Sequence, residues 1–167
     1  QEAGLELLAH DEFAFTGEND REKFTFAVQN FSYPFQIEQK EKLWYANRAL
    51  MSRKEFLQGA LGLGHVTSTP DSDGVLRRVP LAIRMKDQIL PHMTLTAVIH
   101  YLQVQPEDVV IIPGKHILLR NARFPETTIR RDLKIPVDDR LRLRVNFPPL
   151  WEAHAFVDLL EAEKDPE

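Results

Sequence analysis

At 167 residues, 43% hydrophobic and 28% charged, the chain is long enough to bury a core and too apolar for a disordered segment. Its formal charge of −4 leaves no surplus of lysine and arginine to neutralise phosphates, which argues against a general nucleic-acid binder. The lack of cysteine excludes disulfides, a thiolate nucleophile and zinc–thiolate sites, and no apolar run reaches the roughly 18–20 residues that cross a bilayer.

Taken in chain order, the periodicities alternate. Asn19 or Asp20 caps a helix whose Phe24, Ala27, Val28 and Phe31 share one face, and Pro34 ends it. Tyr33, Phe35 and Ile37 then alternate as a short strand, and EQKEK makes a solvated loop. Ser52 and Glu55 have capping-box spacing for a helix over about 53–60. The GALGLG that closes it has the wrong glycine order for a dinucleotide fingerprint and is read as helix termination with flexible backbone.

A hairpin is expected next, with its turn at Pro70–Gly74 and with Val75, Val79, Leu81, Ile83 and Met85 on one face of the second strand. Pro91 starts a helix through about Gln103 that is apolar nearly all round and therefore buried on several sides. VVIIP and HILLR flank Gly114-Lys115 as a second hairpin. In RLRLRVNF, Leu141, Leu143, Val145 and Phe147 face inward; Pro148-Pro149 stops that strand before a last helix bearing Trp151, Ala155 and Leu159. The pattern predicts an α/β (mixed α+β) domain, a mixed sheet with β-hairpins covered by helices.

Catalytic signatures are sparse. No two of the six histidines have the i, i+4 spacing of a helical zinc pair, no serine lies in G-x-S-x-G, and there is no phosphate-binding glycine loop. Asp71-x-Asp73-Gly74 begins like a calcium loop, but Val75 and Pro80 stand where the next ligands belong, so a turn between strands is the simpler reading. Arg77 then falls on the apolar face with Val75, Val79 and Leu81, where a guanidinium must be paired. Asp71 or Asp73 would supply the partner; a ligand carboxylate or phosphate would serve equally. Arg78 falls on the opposite face and is the better candidate for a partner surface or an anionic ligand.

Gly64-His65-Val66, Pro70-Asp71-Ser72-Asp73-Gly74-Val75 and Arg77-Arg78-Val79-Pro80-Leu81 together resemble the most recognisable block of CHASE2 domains, the extracytoplasmic sensors of bacterial receptors. The likeness continues through PHMTLTAVIHYL, Ile135-Pro136-Val137-Asp138, RVNF and Phe156-Val157-Asp158-Leu159-Leu160. It is clearest over 55–160, and the isoleucine-aspartate strand that opens the family's domain has no counterpart here. The resemblance implies one sensory domain over 1–167, apparently without the family's N-terminal part, in the periplasm and between transmembrane helices of an inner-membrane receptor. Its output partner would be a histidine kinase, a nucleotide cyclase or similar. It implies no catalytic residue, metal or cofactor and no nucleic acid; the partner is an undefined small-molecule or periplasmic signal, with homodimerisation as an option. Asp71, Asp73, Arg77 and Arg78 are then ligand-binding residues or a structural ion pair. Two other readings compete: a small soluble enzyme using those acids and arginines, and a structural dimerisation module.

Overall fold

A computed structural model describes residues 14–15, 20–31, 33–125 and 129–146. In chain order these form β1 (Ala14–Phe15), α1 (Asp20–Asn30), β2 (Gln36–Ile37), β3 (Arg48–Ala49), α2 (Lys54–Gly59), β4 (Arg78–Pro80) and β5 (Ala82–Met85). Then come β6 (Gln88–Pro91), α3 (Met93–Tyr101), β7 (Val109–Ile112), β8 (His116–Arg123), β9 (Arg130–Pro136) and β10 (Arg142–Arg144). The expected last helix, with Trp151, Ala155 and Leu159, lies outside the described residues, as do Asn19 and Phe147.

The central sheet has the order β2-β7-β8-β9, with β2 parallel to β7 and the other neighbours antiparallel. The architecture is therefore mixed α+β, with strand pairs of both senses. Val109, Ile111, Ile117 and Leu119 are fully buried, and Gly114 at φ +78° turns the chain between β7 and β8 as the hairpin pattern requires. Leu95 and Ile99 of α3, Ala82 of β5 and Ile89 of β6 close over these strands in one apolar cluster with Leu81, Leu102 and Leu141. Leu141 is fully buried although its φ is +59°, a left-handed conformation that costs a non-glycine residue about 1 kcal/mol or more. Its carbonyl accepts from Leu81 N at 3.0 Å and its own N donates to Asp138 O at 3.0 Å, so bonds on both sides hold it there.

Several expected elements are different. No hairpin forms around Pro70–Gly74: the turn exists, but β4 pairs with β10 and the chain before the turn pairs elsewhere. The long second strand breaks at Leu81, and Pro80 through Ile83 are all buried, so inward and outward positions no longer alternate. Pro91 ends strand β6 instead of opening a helix; β5 and β6 form an unexpected hairpin through Lys86, whose φ is +53°. α3 is one-sided, burying Leu95, Thr96 and Ile99 while Met93 and Tyr101 are exposed. The cap of α2 is Arg53 without a side-chain hydrogen bond, so the Ser52–Glu55 box is not made. β9, a seven-residue strand at the sheet edge, has no counterpart among the expected elements.

Candidate functional site

Two groups of polar side chains stand out, both reached from the segment between α2 and β5. The first is the acid–arginine loop. Gly74 N donates to Asp71 O at 2.8 Å and Asp71 N to Val75 O at 3.0 Å, with Gly74 at φ +82°, which closes a tight turn. Arg77 grips Asp73 with two nitrogens, Nη1–Oδ1 at 2.8 Å and Nη2–Oδ2 at 2.7 Å. Asp71 accepts from Arg77 at 3.4 Å and from Arg78 at 3.3 Å. The Arg77 hydrogen bond and a backbone bond from Val75 N hold the Asp73 carboxyl below the usual carboxylate range.

Two expectations fail here. Arg77 is not buried: its side chain is 44% exposed, matching the 43% of Arg78. Nor do the two arginines part to opposite faces, because Arg77 precedes β4 and is free of the strand's alternation, so both reach Asp71. The carboxylates and guanidiniums satisfy one another at a partly solvated surface.

The second group went unremarked in the sequence because its members are far apart in the chain. His65 forms a parallel bridge with His92: His65 N donates to Pro91 O and Met93 N to His65 O, each at 2.9 Å. The two imidazoles meet edge to face, with centroids 5.0 Å apart. His65 is only 7% exposed; its Nδ1 accepts from Thr67 N at 3.2 Å and its Nε2 is buried without a partner. Burial first, and then the neighbouring His92, push its pKa from 6.5 down to about 4. His92 caps α3, its Nδ1 accepting from Thr94 N at 3.3 Å, and burial lowers its pKa too.

The glycines beside His65 explain how the strand comes so close to α3. A Cβ at Gly64 would lie 2.5 Å from Met93 Cα, and one at Gly62 would lie 2.6 Å from His100 Nε2. They are close-approach residues, not the flexible backbone expected of GALGLG. Tyr33 locks the same stretch, donating to Leu63 O at 2.7 Å and accepting from Leu63 N at 2.8 Å. Among the described residues, no group of three or more metal-ligating side chains forms and no helix is long and apolar enough to cross a membrane.

The family model of the CHASE2 domain matches residues 5–167. The chain belongs to the CHASE2 family. The match takes in the N-terminal stretch that lies outside the 55–160 region of clearest resemblance. CHASE2 domains are extracytoplasmic sensor domains, so the role of this one is sensory. No curated protein and no solved structure matches the chain.

Proposed function

We propose that this CHASE2 domain is the non-catalytic, periplasmic input module of a bacterial inner-membrane signalling protein, and that it passes a signal to a kinase or cyclase output domain. The family match over residues 5–167 carries the reading. The site geometry supports it: the four charged residues of the loop over 71–78 bond one another and leave no acid–base pair facing open space. Asp71, Asp73, Arg77 and Arg78 then act as a structural ion-pair network that fixes the turn before β4. A second copy of the chain is the natural partner for a receptor that signals through paired output domains.

Residues 1–167 hold no cysteine, so with any cysteine elsewhere in the receptor replaced, one added thiol reports the sidedness of this domain. A single Lys42→Cys substitution places a thiol at an exposed position of the loop before Leu43. In cells with a permeabilised outer membrane and an intact inner one, a membrane-impermeant maleimide is expected to label it fully. Labelling only after the inner membrane is lysed contradicts the proposal.

A further inference from the structure

We propose that the cleft between the segment Trp44–Arg48, Thr67 and Ile83 is a binding site for a small aromatic carboxylate. The inference rests on the sensory reading and names the ligand class for it.

The cleft is built by backbone, so it exists before a ligand arrives. Arg84 N donates to Trp44 O and Ala46 N donates to Arg84 O, each at 2.8 Å, which stitches the segment 44–46 along β5. Thr67 on the other side is held by its N–H bond to His65 Nδ1 at 3.2 Å. The space between is about 200 Å³. A dry apolar cavity of about 150 Å³ accepts benzene, so one ring with a one-carbon acid group suits this volume.

The lining selects the chemistry. Trp44 and Tyr45, adjacent in the chain, both line the cleft and remain 46% and 37% exposed, apolar ring area left in water. The charge is cationic: Arg48 is the one ionisable lining residue of either sign besides the Tyr45 phenol, and it makes no ion pair among the described residues. The Arg84 guanidinium does not line the cleft; it packs on Tyr45, 5.1 Å from the ring centroid, and holds that ring in place. Its Nε is buried with no hydrogen-bond partner. The Arg48 guanidinium beside the exposed Trp44 and Tyr45 favours a planar anion and disfavours any ammonium. The Asn47 amide and Thr67 hydroxyl add the neutral donors and acceptors that would set its orientation.

The test is calorimetric titration of the 167-residue chain with sodium benzoate, benzamide and benzylammonium chloride. Saturable benzoate binding in the millimolar range is expected, with the neutral and cationic analogues at least about tenfold weaker. Arg48→Gln should weaken benzoate about tenfold while Arg48→Lys retains most of the affinity. Arg120→Gln, an exposed change on β8, should alter nothing. Unchanged melting temperature in the Arg48 variants shows that the fold is intact. No saturation by about 50 mM benzoate, equal binding of the three probes, or indifference to Arg48→Gln overturns the site. Such a failure leaves the sensory reading standing, because the maleimide experiment tests that separately; failure of the labelling removes the reading whatever benzoate does.

Discussion

Burial ties the protonation of His65 to folding. Its imidazole is held neutral by burial and by His92, with a pKa of about 4 against 6.5 for a free histidine. Because the folded value is the lower one, the unfolded chain takes up the proton first as pH falls. The stabilising contribution is therefore complete above pH 6.5, declines between 6.5 and about 4, and is exhausted below that. The whole effect is at most roughly 3 kcal/mol. Urea unfolding of the native chain and of His65→Gln across this pH range should show a steeper loss in the native chain. Parallel pH profiles would mean that His65 is not neutral in the fold. At the same scale, the pairing of Asp71 and Asp73 with arginine was legible from their spacing, since a turn brings residues four to seven apart within reach. The exposure of Arg77 was not legible, because it depends on where the regular strand begins, and β4 begins one residue later.

Among the elements, α3 and the strand-like segment at His65 approach each other closely through Gly64. Gly64 sits where a Cβ would meet Met93 Cα at 2.5 Å and Met93 N at 2.7 Å, atoms of the first turn of α3 that cannot swing aside. Gly64→Ala should therefore cost about 1–3 kcal/mol through overpacking. Gly59→Ala, at the end of α2 with nothing within 4 Å, should be neutral or stabilising by up to about 1 kcal/mol. Equal effects in chemical denaturation would show that α3 and the His65 segment are not in such close contact. These elements also mark where sequence patterns carry information. The β7–β8 hairpin was readable because Gly114 and the apolar runs on both sides agree. β9 was hidden because Arg130, Arg131 and Asp132 are all exposed on a sheet edge, where strand propensity is not enforced by burial. β6 was hidden because proline before an apolar run looks like a helix start, and only the pairing of Pro91 with Ala82 decides otherwise.

At the scale of the whole molecule, the mixed α+β class followed from the alternation of helical and strand periods, and the central block of the family's sequence was recognisable over 64–81. The cleft was not recognisable. Trp44, Thr67 and Ile83 lie in three separate stretches of the chain, and only the bridging of the segment 44–46 to β5 brings them to one place. The β5–β6 hairpin and the separate bridge of His65 to His92 then connect the cleft to the cap of α3, with Thr67 N bonded to the His65 side chain. Under the proposed function, distortion of that network is what the domain passes on to its output partner. The most direct test of that proposal is the output activity of the proposed parent receptor carrying Gly64→Ala, compared with the native protein at equal abundance. A severalfold change in output, in either direction, is the predicted result; output identical to native, with the domain measurably destabilised, would contradict the claim that this domain is the sensory input.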